Sequence, residues 1–173
     1  GAIRAESDVV LVGAGTLRTE GYLLPRTARL AVLTTTGELG SARVGEVADA
    51  EKLLVVGPAS ARERAGQTLA APHSFVELPP ARDGRVNLAA ALDELARLGA
   101  PRVVCEGGPS LAAALVDEGL VGELCLSTSP RLTGVGLAVL GAQQHPSIDL
   151  ELASLLVDDA GGIYARWLLS PTG

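Results

Sequence analysis

The chain has 173 residues, enough for one domain, 1–173, with a sizeable core. Hydrophobic residues make up 47% and aromatics only 2%, so Leu, Val and Ala must fill that core. A net charge of −6 argues against nucleic acid or a membrane surface as partner, and no apolar run reaches the length of a membrane span.

Asp8 to Val12 reads DVVLV, an apolar, β-branched run of strand length. Gly13-Ala14-Gly15-Thr16 ends it. The string invites a dinucleotide fingerprint, but Arg18 stands where the third glycine belongs. Gly21 and Pro25 would also interrupt the helix that must follow. What remains is a strand-to-glycine turn in which Thr16 either meets a ligand or merely caps a loop. Leu30 to Leu33 is a second buried-strand run, with Thr34 to Thr36 behind it. Lys52 to Val56 is a third, followed by a helix-like stretch from Ala59 to Leu69. His73 to Leu78 is a shorter strand, and Pro79 to Gly84 a loop. Asn87 is placed to cap a helix over 88–98, with Leu88, Ala91, Leu92 and Leu95 on one face and Gly99 as its stop.

Arg102 to Cys105 is again a strand, and Glu106-Gly107-Gly108 follows as a tight turn. Pro109 and Ser110 open a helix that carries Leu111, Leu115 and Val116 at helical spacing. A strand, a glycine turn and a helix start together aim free N–H groups at one point, which suits phosphate. The same pattern also serves as a plain βα connection. The acidic balance does not exclude a phosphorylated ligand, since that needs only a local group of donors.

Strands alternating with helices call for a largely parallel α/β sheet covered on both faces. The last third differs: 123–127 alternates, and 148–157 and 163–169 flank the turn Asp158 to Gly162 as an antiparallel hairpin. The expected architecture is a mixed, mostly parallel sheet that ends in this hairpin. Cys105 and Cys125 sit in apolar runs without CxxC spacing, so they read as reduced core residues and not metal ligands. With no secretory signal pattern, the expected compartment is the cytoplasm.

Ser7 to Thr16 with Glu20-Gly21 resembles the start of the reductase domain of riboflavin biosynthesis. Glu106 to Leu111, then Gly119 to Val121 and Glu123-Leu124, is similar to its second signature. Pro130-Arg131-Leu132 with Gly134 resembles its third. The three blocks stand in the family's order and cover most of the chain. Family members also carry an earlier strand with a Ser-Leu-Asp-Gly motif, which these residues do not contain. Nor do they contain the His-x-Glu and Pro-Cys-x-x-Cys of the zinc deaminase joined to some reductases.

The resemblance implies a dihydrofolate-reductase-like fold, an NADPH cofactor, a pyrimidine substrate and a homodimer. The implied reaction reduces the sugar carbon of a ribosylamino-pyrimidine phosphate to give the ribitylamino product. Thr16 and Glu20 would lie at the cofactor, with Thr35 as a further contact. Gly107, Gly108, Pro109, Ser110 and Leu111 would hold its diphosphate. Glu106, Leu24 and Arg26 would meet the substrate. Arg43 and Arg62 are candidates for reading the extra phosphate of NADPH. Two other readings stay open: a reductase of this fold with another substrate, such as a dihydropteridine, and a non-catalytic nucleotide-binding module.

Overall fold

The computed structural model describes residues 2–40, 44–79, 84–134, 136, 138–141 and 147–169. Arg43, a candidate named above, lies outside them. By its internal contacts the chain divides into two compact units, Gly1–Gly108 and Pro109–Gly173.

The first unit opens with a short helix, α1 (Ala2–Glu6), and then β1 (Val9–Gly13), α2 (Ala14–Glu20) and β2 (Arg29–Leu33). It continues through β3 (Leu53–Pro58), α3 (Arg62–Thr68), β4 (Ser74–Leu78), α4 (Leu88–Arg97) and β5 (Val103–Cys105). The five strands form one parallel sheet in the order β4-β3-β2-β1-β5, flanked by helices. Val10, Val12, Leu30, Val32, Leu53 and Val55 line one face and pack with Leu17 of α2 and Ala65 of α3. The alternate residues Val9, Leu11, Ala31, Leu54 and Val56 are buried too. Burial on both faces is why these strands read as unbroken apolar runs and not as alternating ones. Asn87 caps α4 as its sequence predicts: its side-chain oxygen accepts from the Ala90 N–H at 2.9 Å.

One local reading needs correction. Gly13-Ala14-Gly15-Thr16 does not form an open glycine turn. β1 passes straight into α2, with Gly13 in extended backbone as the N-cap. Leu17 supplies the reason: it is fully buried, and this burial outweighs the low helix propensity of Gly15. The helix ends at Gly21, whose φ of 67° suits glycine and whose N–H bonds back to the Leu17 carbonyl.

The second unit holds α5 (Pro109–Asp117), β6 (Glu123–Thr128), β7 (Leu150–Val157) and β8 (Ile163–Leu169). Its strands form a separate antiparallel sheet, β6-β8-β7, so the mixed character of the fold is divided between two sheets. The hairpin turn is tied by Asp158, whose carboxylate accepts from the backbone N–H groups of Ala160 and Gly162.

A β-bulge between Leu152 and Ser154 makes Ala153 the extra residue in β7. Residues paired directly across an antiparallel ladder share a face. The pairing therefore gathers Leu150, Leu152, Leu155 and Val157 with Ile163, Ala165, Trp167 and Leu169 of β8, and with Leu124 and Leu126 of β6. Without the bulge, Ser154 and Leu156 would take the places of Leu155 and Val157. All eight residues of β7 are exposed. Cys125 is exposed as well, against its expected place in the core, because its register puts it on the face with Glu151, Ser154 and Arg166.

Candidate active site

Strand order reverses beside β1. The chain lays β2, β3 and β4 outward on one side, and then returns to place β5 on the other. In open parallel sheets, the carboxyl ends of the strands at such a reversal are where ligands settle. Here those ends are Gly13 of β1 and Cys105 of β5. They are held in register by Val9 against Val103 and Leu11 against Cys105, and the Glu106 N–H extends the ladder to the Leu11 carbonyl at 3.0 Å. At the opposite end, Asp8 accepts from the backbone N–H and the guanidinium of Arg102 at 2.9 and 2.7 Å. That clamp fixes β5 beside β1.

The glycine turn after β5 is tight for internal reasons. A Cβ at Gly107 would stand 2.9 Å from the Cα of Val12. Gly108 has a φ of 69°, and a Cβ there would stand 2.9 Å from the Thr16 hydroxyl. The local geometry therefore demands both glycines, by packing at Gly107 and by the positive φ at Gly108. It also brings Thr16, Gly107 and Gly108 together, which the sequence had only hinted at. Pro109, Ser110 and Leu111 follow directly in sequence as the first turn of α5, where backbone N–H groups have no helical acceptor.

Glu106 is the most heavily engaged side chain of the set. The Arg4 Nε donates to its Oε1 at 2.6 Å, and the Arg4 Nη2 donates to its Oε2. The Tyr22 hydroxyl donates to Oε2 as well, and accepts from the Arg4 Nη2 at 3.1 Å. The Arg4 guanidinium holds the Glu106 carboxyl below the usual carboxylate range, and the Tyr22 hydroxyl adds to this against partial burial. Burial and the neighbouring Glu106 push the Tyr22 phenol above its ordinary value, so it stays a donor. Tyr22 is fixed in turn: its ring packs against the buried core cluster, and its carbonyl accepts from the Gly45 N–H at 3.3 Å.

The other expected residues divide by position. Glu20 is exposed at the end of α2, and Thr35 is exposed just past β2. Its neighbour Thr34 is buried and spends its hydroxyl on the Gly37 N–H at 3.0 Å. Leu24 leans on the core cluster, while Arg26 is exposed. Arg62 pairs with Glu77 at 3.0 Å and covers the Phe75 ring. Arg4 and Tyr22 were not foreseen. The scarcity of aromatic residues marked Tyr22 faintly; nothing local marked Arg4, whose partner lies 102 residues away.

The model of the family described as RibD C-terminal domain matches residues 1–164. No curated protein is a significant match. Among solved structures, a pyrimidine reductase-like protein of Corynebacterium diphtheriae superposes with a TM-score of 0.67 at 20% identity, over 97% of this chain and 78% of that one. A diaminohydroxyphosphoribosylaminopyrimidine deaminase/5-amino-6-(5-phosphoribosylamino)uracil reductase of Thermotoga maritima gives 0.72 at 18% identity, over 98% of this chain and 47% of that one. A riboflavin biosynthesis reductase of Saccharomyces cerevisiae gives 0.67 at 15%, over 96% and 77%. The chain thus spans about half the length of the Thermotoga protein and more than three quarters of the other two. These likenesses establish a shared fold.

Proposed function

The chain belongs to the RibD C-terminal domain family, and on that premise we propose that it is a pyrimidine reductase of riboflavin biosynthesis. The substrate would be a ribosylamino-pyrimidine phosphate, the product its ribitylamino form, and the reductant NADPH. One observation carries the reading: Thr16, Gly107, Gly108 and Glu106 stand together at the strand-order reversal, the place where a sheet of this kind receives a ligand. Residues 1–173 would act as a single reductase-like domain, in line with a family match over 1–164.

NADPH supplies a hydride when bound; the protein supplies position and electrostatics. The residues present fit such a group. The Thr16 and Thr35 hydroxyls offer donors and acceptors, and the Glu20 carboxylate suits ribose hydroxyls. The Gly107-Gly108 turn and the first turn of α5, at Pro109, Ser110 and Leu111, suit the diphosphate. Glu106 would accept from an N–H of the pyrimidine, and Arg26 would attract the sugar phosphate, with Leu24 beside it. Arg62 has a carboxylate partner already, which weakens its claim on the extra phosphate of NADPH. The partner would be a second copy of this chain, joined through the apolar face of β7 and β8, where Leu152 and Leu155 are 46% and 53% exposed. Neither nucleic acid nor a membrane is expected to bind. Among the described residues no helix is long and apolar enough to cross a bilayer.

The test is NADPH oxidation with the ribosylamino-pyrimidine phosphate, together with fluorescence titration of NADPH and NADH. Saturable binding that favours NADPH and turnover of the pyrimidine are expected. Glu106→Gln should leave NADPH affinity within about twofold and lower kcat/KM by about tenfold, roughly the loss of one charge-assisted hydrogen bond. Absence of saturable nucleotide binding would overturn the cofactor assignment. Nucleotide binding with no pyrimidine turnover would point to a binding module or to another substrate.

A further inference from the structure

An ionised carboxylate offers about four acceptor positions, two on each oxygen. At Glu106 three are taken. Oε1 receives the Arg4 Nε, and Oε2 receives both the Arg4 Nη2 and the Tyr22 hydroxyl. The two-pronged contact with Arg4 spends the acceptor positions that face the guanidinium, one per oxygen. Tyr22 spends the second position on Oε2. A single position remains, on the outer side of Oε1.

Each corner of the cluster is tied to an element of the fold. Glu106 continues the β5 ladder, Tyr22 packs on the core cluster, and Arg4 projects from α1 with its guanidinium 5.3 Å from the centre of the Tyr22 ring. The Tyr22 hydroxyl closes the triangle, accepting from Arg4 while donating to Glu106. Charge narrows the ligand further. The Arg4 guanidinium already balances the carboxylate, so the pair gives no net attraction to a cation, and an anion would meet the acceptor oxygen. A neutral N–H or O–H donor is what fits, and a pyrimidine substrate supplies the N–H.

We propose that Arg4 and Tyr22 are positioning residues that leave Glu106 one open acceptor direction, on Oε1, for a single neutral N–H of the substrate. The proposal rests on the pyrimidine-reductase reading and sharpens it: Glu106 takes one N–H of the pyrimidine, not two. Arg4 and Tyr22 act through Glu106 and need not touch the substrate.

The test is steady-state kinetics on the full chain with the ribosylamino-pyrimidine phosphate as the varied substrate, with calorimetric titration of the same compound as a readout independent of turnover. Tyr22→Phe should raise KM and Kd about threefold to tenfold and leave kcat within about twofold, as expected when a carboxylate that meets the substrate equally in ground and transition state is less well held. Arg4→Lys keeps the charge but loses the fork, and should weaken binding at least as much. In a Glu106→Gln background, Tyr22→Phe should add almost nothing, because both changes act through one carboxylate. Melting temperatures of the variants guard against simple unfolding. Three outcomes overturn the proposal while the reductase reading stands: either single variant leaves KM unchanged, either lowers kcat alone, or Tyr22→Phe keeps its full effect beside Glu106→Gln. A wild-type chain that binds NADPH but neither binds nor turns over the pyrimidine overturns the proposal and the reading together.

Discussion

In the parallel sheet, Val9, Val10, Leu11 and Val12 are at most 1% exposed, whereas every residue of β7 in the antiparallel sheet faces solvent to a large degree. Both strands are rich in Leu and Val, so composition does not separate them. Pattern does. β1 is apolar at every position because both of its faces are covered. β7 sets Leu150 and Leu152 on one face, slips by one residue at Ala153, and so returns Leu155 and Val157 to that face, with Leu156 on the other. Continuous runs make a core within one protomer; a face kept apolar by a bulge and left open is suited to a partner.

The widest gap between the two sheets should appear on truncation. Leu54→Ala, at a side chain 1% exposed, is expected to lower unfolding free energy by about 2–5 kcal/mol, read from urea unfolding. Leu155→Ala should change protomer stability by less than about 0.5 kcal/mol. Its effect belongs to assembly: Leu155→Asp should weaken self-association at least about tenfold in sedimentation, by placing a charge on an apolar contact. A wild-type chain that sediments as a monomer at micromolar concentration would remove the second copy as the occupant of that face.

A smaller effect is expected where the parallel sheet meets the glycine turn. Gly107→Ala puts a methyl group 2.9 Å from the backbone of Val12 and should cost about 1–3 kcal/mol of stability by overpacking. Nucleotide affinity measured well below the melting temperature should then fall as well, since the turn must shift to relieve the clash. If the variant melts like wild type, the turn has slack that this geometry does not contain.

The smallest effect concerns the Asp8–Arg102 clamp. Hydrogen bonds from Arg102 hold the Asp8 carboxyl below its usual range. A group whose folded value is depressed adds stability above its unfolded value and loses it as pH falls through the folded one. The difference in melting temperature between wild type and Asp8→Asn should therefore be present at neutral pH and shrink on acidification below the ordinary aspartate range. A difference that grows toward acid would contradict the clamp.

Much of the parallel sheet was legible because its signals are local. DVVLV, the run over 30–33 and the Asn87 cap each carry their physics within a few residues. The start of α2 was not legible, since Gly13-Ala14-Gly15 reads as a turn until the burial of Leu17 is known. The bulge at Ala153 was hidden for a similar reason: it shows only when β7 is set against β8. Thr16, Gly107, Gly108 and Glu106 could be named from motif blocks. Arg4 and Tyr22 could not, because their contacts with Glu106 span 102 and 84 residues and leave no periodic trace.

The strand order also sets a timetable. β1 to β4 lie side by side in the order in which a ribosome delivers them, so each can pair soon after it appears. The remaining edge of β1 has to wait for β5. Asp8 meets Arg102, 94 positions further along, only after the intervening chain is made, and closing so long a span is the slower kind of step in folding. A nascent chain halted before residue 103 would hold most of its core and lack the paired carboxyl ends of β1 and β5. Catalytic competence would then be among the last properties the newborn protein acquires, with an unpaired strand edge in the interval for chaperones to shield.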